Sequence, residues 1–217
     1  MIILTTLQHA WAYFLSHTAE FWQAFGDHLE LVGIALGVAL VLGLPLGIWT
    51  AHSRQASRVV MSTVNGLRVL PSLAVLFLVV PYLGLSTASA AVALIFLALP
   101  PVVINTDAAF RSLDPAILEA AQGMGMDAQQ SLVRVQFPLA LPVILTGIRT
   151  AAVEVIASAT LAAFVGSGGL GIYVTRGFAL YDYAILMVGA IPVALLSLVA
   201  EGVFIQLQHW SEPPRSG

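Results

Sequence analysis

The sequence lacks two residue types that carry much of protein chemistry. It contains no Cys, which excludes disulfides, thiolate metal sites and cysteine nucleophiles. It also contains no Lys, so the phosphate-binding pattern GxxxxGK(S/T) is absent from the chain. Eight Arg and eleven acidic residues leave a net charge of −3 without a basic cluster, which argues against a nucleic-acid partner.

Charge of either sign is scarce, and apolar residues take its place. Only 9% of the residues are charged, against about 25% in an ordinary soluble domain, and 59% are hydrophobic. This composition is typical of a polytopic membrane protein. We predict an all-α fold with about five transmembrane helices, near residues 31–51, 59–81, 90–106, 139–165 and 183–207.

The first 28 residues have a mixed pattern. Aromatic and aliphatic residues recur there at steps of three or four, but Gln8, His9 and His17 interrupt the apolar run. Aromatic side chains suit the headgroup region of a membrane, so the pattern favours an amphipathic helix that lies in the interface. An extra transmembrane helix is the alternative.

The arginines are distributed unevenly about the predicted spans. Only Arg176 lies on one side, and Arg68 and Arg149 are embedded. Five arginines lie on the other side: Arg54, Arg58, Arg111, Arg134 and Arg215. Because positive residues accumulate on the cytoplasmic side, we predict that the N-terminus is outside and the C-terminus is cytoplasmic.

Several residues of the predicted spans concern packing. Four glycines recur in the first span at intervals of about four residues: Gly33, Gly37, Gly43 and Gly47. Such small residues predict close approach of neighbouring helices in lipid. Pro71 indicates that the second span is not a simple rod. Pro100 and Pro101 are expected to break the hydrogen-bond ladder of the third.

The longest polar stretch between two predicted spans, residues 114–138, reads DPAILEAAQGMGMDAQQSLVRVQFP. Asp114 is a favourable N-cap, and Pro115 suits the first helical position. Gly123 and Gly125 are expected to end this helix. Its apolar residues fall on one face at helical spacing: Ile117, Leu118, Ala121 and Met124.

A second short helix is predicted in the same stretch. Asp127 and Gln130 resemble a capping box at its start. Pro138 is expected to limit it. The stretch is therefore predicted to form a compact helix-turn-helix in the cytoplasm.

The stretch also contains the spacing E-A-A-x3-G-x9-V-x-F-P, from Glu119 to Pro138. This spacing resembles the EAA loop of the inner-membrane permease subunits of ABC-type importers, with Val135 and Phe137 in place of the commoner Ile and Leu. Three further runs are similar to the branch that imports glycine betaine, choline, carnitine and related osmoprotectants: residues 34–53, 70–84 and 147–171.

The resemblance implies a type I ABC importer permease fold. A permease domain is expected over residues 29–210, with an interfacial segment at 1–28 and a cytoplasmic tail at 211–217. The first helix of the EAA loop, which spans residues 107–140, is expected to dock on a cytoplasmic ATPase subunit. The residues expected to serve this coupling are Glu119, Ala120, Ala121, Met124, Gly125 and Pro138.

The resemblance also implies the partners. We expect cytoplasmic ATP-binding subunits that hold ATP and Mg²⁺, a second copy of this permease or a related permease chain, and an extracytoplasmic binding protein that delivers the solute. In that assembly the chain itself holds no cofactor and is not an enzyme. It is expected to translocate an osmoprotectant such as glycine betaine, choline or carnitine across the cell membrane.

Two other functions stay open from the residues alone. One is an ABC permease for a different small solute, such as an amino acid or methionine, because the EAA loop does not distinguish solutes. The other is a secondary carrier or channel that works without ATP. A carrier of that kind is usually longer, with inverted repeats and broken helices.

Three charged residues at membrane depth are the candidates for a substrate pathway: Arg68, Arg149 and Glu154. Such residues are costly in lipid and indicate either a pathway or an internal pair. Arg149 and Glu154 are five residues apart, near one face, and are expected to satisfy each other or a neighbouring span. Arg68 is expected to snorkel or to cap a broken helix. Packing is favoured over substrate contact, although Glu154 is suited to balance the charge of a quaternary ammonium.

The run GSGGLG at residues 166–171 fits GxGxxG literally, but no strand precedes it and a dinucleotide site is not predicted. We predict a flexible or tightly turned outer loop over residues 166–182 instead. The five histidines show no metal-binding spacing and no GxSxG elbow occurs. Neither a metal site nor a catalytic site is predicted.

Overall fold

Helices make up most of the part of the protein that the computed structural model describes, residues 2–211. In chain order the α-helices are α1 (Ile2–Ser16), α2 (Thr18–His52), α3 (Arg54–Leu67), α4 (Ser72–Leu83), α5 (Thr87–Arg111), α6 (Pro115–Gly123), α7 (Ala128–Ser131), α8 (Phe137–Ser158), α9 (Gly171–Leu180) and α10 (Tyr183–Ser211). A π-helical turn, Leu132–Gln136, joins α7 to α8, and a 3-10 segment, Ala159–Val165, follows α8. The predicted all-α fold class is confirmed. The predicted tail at 211–217 lies outside the described residues except for Ser211.

By length and composition, four described stretches are able to cross a membrane: α2, α5, residues 128–165 and α10. The number rises to five if α3 and α4, which meet at 98°, form one broken span. The predicted second span at 59–81 is therefore not one continuous helix. Pro71 explains the break, because it lacks an N–H and disfavours the helical conformation of the residue before it.

The tandem proline of α5 interrupts the backbone hydrogen-bond ladder, because neither residue has an N–H, but it does not end the helix. The helix is continuous through Pro100 and Pro101, and both residues are buried. Membrane helices tolerate proline where neighbouring groups satisfy the freed backbone atoms. The side-chain amide of Asn105 donates to the carbonyl of Pro101 at 2.8 Å and adds a hydrogen bond one turn after the proline pair.

The core of the fold is the contact of α2 and α8 with the central helix α5. The backbones approach closely at Gly43, Gly47 and Gly147, which we call the glycine junction. A Cβ atom added at Gly47 would lie 2.5 Å from Cβ of Thr106, and one added at Gly147 would lie 2.6 Å from the carbonyl oxygen of Pro101. Since real Cβ atoms do not approach other atoms so closely, these positions require glycine unless the helices move apart.

Two glycines of α2 do not take part in close packing. An added Cβ atom at Gly33 or Gly37 would meet nothing within 4 Å. The predicted packing role is confirmed for Gly43 and Gly47 and is wrong for this pair. Close approach to α5 is therefore confined to the C-terminal half of α2.

The N-terminal helix α1 packs against α10. Its 15 residues are fewer than the roughly 20 that an apolar helix needs to cross a bilayer. Phe14 of α1 meets Phe21 of α2 edge to face, with 4.8 Å between the ring centroids. The helix α2 runs unbroken across residue 28. The interfacial position of segment 1–28 stays a prediction.

The predicted outer loop at 166–182 is largely a helix, α9. The prediction of a loop was wrong for residues 171–180, which form α9. Residues 166–170 do form the predicted tight turn. Gly166, Gly168 and Gly169 have φ values of +72°, +76° and +78°, which glycine adopts without steric cost. The turn packs on α2, since a Cβ atom added at Gly168 would lie 3.0 Å from Oδ2 of Asp27.

Polar contacts tie α9 to the N-terminal helices. Arg176 donates from Nη1 to the hydroxyl oxygen of Tyr13 at 3.1 Å, and its Nη1 lies 3.9 Å from the carboxylate of Glu20. Tyr173 is buried beneath this contact, and burial raises the pKa of its hydroxyl. Aromatic packing and the Arg176 contacts therefore join α9 to α1 and α2.

Candidate functional site

The EAA loop begins with the short helix α6, as the sequence predicts. Asp114 caps the helix, because its Oδ1 accepts a hydrogen bond from the backbone N–H of Ala116 at 2.9 Å. Pro115 occupies the first turn. Gly125 follows the helix with φ +79°, and this left-handed residue turns the chain toward the next helix.

The second helix of the loop also starts as predicted. The backbone N–H of Gln130 donates to Oδ1 of Asp127 at 2.8 Å, and the Gln130 side chain accepts from the N–H of Asp127 at 3.3 Å, so the capping box forms. Pro138 does not limit this helix, and that prediction was wrong. The π-helical turn before Pro138 carries the chain from α7 into α8 without a break. The helix that starts in the loop is therefore the beginning of a membrane helix.

The predicted apolar face of α6 is divided between the interior and the solvent. Ala121 is buried, with 1% of its surface exposed, whereas Ile117 is 40% exposed and Met124 is 69% exposed. Glu119 and Ala120 are also exposed. A short helix with an exposed apolar face is suited to dock in the groove of a partner protein.

A polar contact at the base of the loop joins α5 to α2. Arg111 donates from Nε to Oδ2 of Asp107 at 2.8 Å and from Nη2 to the backbone carbonyl of Thr50 at 2.5 Å. Thr50 is fully buried, and 8% of Asp107 is exposed. The hydrogen bond to Thr50 fixes the last turn of α5 against the last turn of α2.

The end of α2 also contacts the π-helical turn. Nε2 of His52 lies 3.3 Å from Oε1 of Gln136, and the His52 ring packs on Phe110 with 5.9 Å between centroids. Between α2 and the loop lies a groove of about 680 Å³. Residues that line it include Trp49, His52, Leu118, Gln122, Met126 and Gln136. Contacts with α2 therefore fix the chain at both ends of the loop, at Arg111 and at Gln136.

The embedded charges do not pair as the sequence spacing indicated. Arg149 lies 3.6 Å from Glu201 of α10, not against Glu154. Five residues of α-helix turn the chain by about 140°, since each residue adds about 100°, so Arg149 and Glu154 point in different directions. The alternative, that a neighbouring span satisfies Arg149, is confirmed.

Arg68 and Glu154 line one cavity of about 350 Å³ between α5, α8 and the break after α3. Neither side chain forms an ion pair within 4.0 Å with another described residue. Asn105 and Thr150 also face this cavity. The structure thus brings together two of the three predicted pathway residues and separates Arg149 from them.

The residues that anchor the loop were not found from sequence patterns. Thr50, Asp107 and His52 each lie near the end of a predicted span, where a polar residue is ordinary. Asn105 and Thr150 gave a weak signal as polar residues within predicted spans. Their shared position became visible only when the helices were packed.

Comparison with known proteins agrees with this geometry. Residues 43–213 match the family described as "Binding-protein-dependent transport system inner membrane component". The chain is 39% identical to "Carnitine transport permease protein OpuCB" of Listeria monocytogenes, over 88% of this chain and 86% of the relative. It is 36% identical to "Glycine betaine/carnitine/choline transport system permease protein OpuCB" of Bacillus subtilis, over 82% of each chain.

Solved structures share the fold at lower identity. An inward-facing structure of the MetNI methionine ABC transporter superposes with a TM-score of 0.83 over 91% of this chain and 99% of that chain, at 20% identity. A crystal structure of an amino acid ABC transporter gives a TM-score of 0.70 over 92% of this chain and 95% of that chain, at 19% identity. The chain therefore belongs to the family of binding-protein-dependent transport system inner-membrane components, and it is a multi-pass permease of an ABC importer.

Proposed function

We propose that this chain is the permease of an importer for an osmoprotectant of the glycine betaine, carnitine or choline type. The solute class comes from the relatives, whose names give carnitine, glycine betaine and choline as their transported solutes. The observation that carries the coupling role is the exposed surface of α6, where Ile117 and the C-cap residue Met124 share one side and Glu119 is exposed on another. This face is the docking surface for an ATPase subunit.

The proposed assembly contains ATP-binding subunits that hold ATP and Mg²⁺, a second permease, either identical or related, and an extracytoplasmic binding protein. ATP is hydrolysed in the partner subunits, since this chain has no phosphate-binding motif. The EAA loop and the C-terminus face the cytoplasm and the N-terminus faces outward. The excess of arginines on the loop side supports this orientation.

The contacts at the base of the loop support a lever-like role for α6. Arg111 ties α5 to α2, and the π-helical turn continues the loop into α8. A displacement of α6 is therefore passed to three membrane helices together. ATP binding in the partners favours one arrangement of these helices and hydrolysis the other, which is the differential interaction that coupling requires.

Copurification from a mild detergent tests the coupling surface. We expect an ATPase to copurify with the wild-type chain. Glu119→Lys is expected to weaken this association about tenfold or more, because it reverses the exposed charge of the helix that docks. Gly125→Pro is expected to do the same, since proline cannot adopt φ +79° and removes the N–H that donates to the carbonyl of Gln122.

Gln129→Lys is the matched control, because it adds a positive charge to the same loop but lies on α7. It is expected to retain the ATPase. If the wild-type chain copurifies with no ATPase, the proposal that α6 is the coupling surface is wrong.

A transport assay tests the solute class separately. The permease, its ATPase and its binding protein are reconstituted in vesicles, and uptake of labelled glycine betaine, carnitine, choline and methionine is compared. We expect ATP-dependent uptake of at least one of the first three and none of methionine. ATP-dependent uptake of methionine alone would keep the ABC permease and overturn the osmoprotectant assignment.

A further inference from the structure

We propose that the cavity lined by Arg68 and Glu154 is a binding site, inside the permease itself, for a small zwitterion with a quaternary ammonium group. This site rests on the proposed solute class and goes beyond it, because it places a solute-selective step within the membrane. The two charged side chains have distinct roles. Glu154 receives the ammonium group, and Arg68 receives the carboxylate.

The first argument is that both charges are unsatisfied within the chain. Glu154 and Arg68 are exposed, interact electrostatically across the cavity and form no side-chain hydrogen bond with another described residue. An unpaired charge at membrane depth is costly against lipid, so such residues face a water-filled interior or a bound ion. By contrast, Arg149 has a partner in Glu201.

The second argument is the chemistry of the remaining wall. Phe96 lines the cavity and is 40% exposed, so its ring is available for a cation–π contact with an ammonium group. Asn105 uses one amide hydrogen to bond the carbonyl of Pro101 and keeps a second one free. The cavity therefore offers an aromatic face and a neutral donor beside the two charges.

The third argument comes from the tandem proline of α5. Pro100 and Pro101 supply no N–H, so the carbonyls of Phe96 and Leu97 lose their usual partners four residues on. All four residues line the cavity. Carbonyl oxygens freed in this way carry partial negative charge and coordinate cations at membrane depth in transport proteins. Because a quaternary ammonium has no N–H to donate, these oxygens attract it through their partial negative charge alone.

The size of the cavity agrees with a small solute. Its volume of about 350 Å³ is near the lower end of the range of about 300–1,000 Å³ typical of ligand pockets. The Arg68 guanidinium can bind the carboxylate of the solute through two parallel hydrogen bonds. Without Arg68, the negative charge of Glu154 would repel that carboxylate. Opposite charges across one small cavity are therefore the arrangement that a zwitterion requires.

The test is uptake by the complete transporter in vesicles, with the binding protein saturated by glycine betaine or by choline. Choline carries the ammonium but no carboxylate. Glu154→Gln is expected to lower the uptake rate of both solutes about tenfold or more. Arg68→Gln is expected to lower glycine betaine uptake by a similar factor and to leave choline uptake within about twofold. Arg68→Lys, which keeps the charge, is expected to restore part of the glycine betaine uptake.

Two controls separate a binding role from loss of structure. Each variant is checked for copurification of the ATPase and of the second permease. Glu201→Gln removes a carboxylate outside the cavity and is expected to change the two uptake rates equally, without altering their ratio.

The outcomes distinguish this proposal from the proposed function. If the wild-type transporter imports both solutes and the variants leave the ratio of uptake rates unchanged, the cavity is not a zwitterion site, while the function stands. If Glu154→Gln releases the second permease, the carboxylate is a contact between subunits and the site is also wrong. If the wild-type transporter imports neither solute, the solute assignment and the site fail together.

Discussion

The glycine junction and the EAA loop use glycine for opposite reasons. At the junction, Gly47 and Gly147 leave no space for a side chain, because atoms of α5 lie within 2.6 Å of an added Cβ. In the loop, Gly125 has open space around it but a φ of +79°. Packing thus dictates glycine in the membrane, whereas backbone conformation dictates it in the loop.

The two regions also differ in what they do with apolar side chains. The junction buries them between helices, and Val102 and Val103 of α5 are almost fully inaccessible. The helix α6 of the loop leaves Ile117 and Met124 exposed. The packing of the glycine junction thus stabilises the fold, whereas the exposed side chains of α6 are available to a partner protein. Substitutions in the two regions should therefore separate stability from coupling.

The largest effect is expected at the junction. Gly47→Leu should prevent recovery of a folded transporter, and Gly47→Ala should destabilise it by about 1–3 kcal/mol, because the new Cβ would overlap Thr106. Gly37→Ala is the matched control on the same helix and should change stability by no more than about 0.5 kcal/mol. Thermal unfolding in detergent measures the difference. Equal unfolding temperatures for the two alanine variants would contradict the close contact.

The second effect should appear in coupling alone. Met124→Glu places a charge in the exposed face of α6 and is expected to reduce ATPase association and solute uptake about tenfold. The unfolding temperature of the permease should not change, since 69% of Met124 is exposed. Gln129→Glu, on α7, should leave both quantities unaltered. A drop in thermal stability with Met124→Glu would show that the face is part of the fold rather than a docking surface.

The smallest effect is expected within the loop backbone. Gly125→Ala should destabilise the loop by about 1–2 kcal/mol, because an L-residue is strained at φ +79°. Gly123→Ala, at the end of α6 and with open space around it, should be neutral or stabilise by up to about 1 kcal/mol. Hydrogen exchange of the loop amides measures both. If the two variants change the exchange rates equally, backbone conformation does not require glycine at residue 125.

Local signals in the sequence predicted the loop well. The cap at Asp114, the turn at Gly125 and the capping box at Asp127 all form. Each depends on atoms within four residues of one another, so the spacing alone specifies the contact. The same locality explains the error at Pro138, where a proline was expected to stop a helix that the preceding π-helical turn carries onward.

The all-α class, the apolar spans and the start of each helix in the EAA loop could be predicted from the residues alone. Three features became known only from the packed helices: which glycines are in contact, that Arg149 pairs with Glu201, and that Arg68 and Glu154 share a cavity. The physical reason is distance along the chain. Hydrophobicity and capping act within a few residues, whereas these contacts join helices that are 30 or more residues apart and depend on how each helix is rotated about its axis.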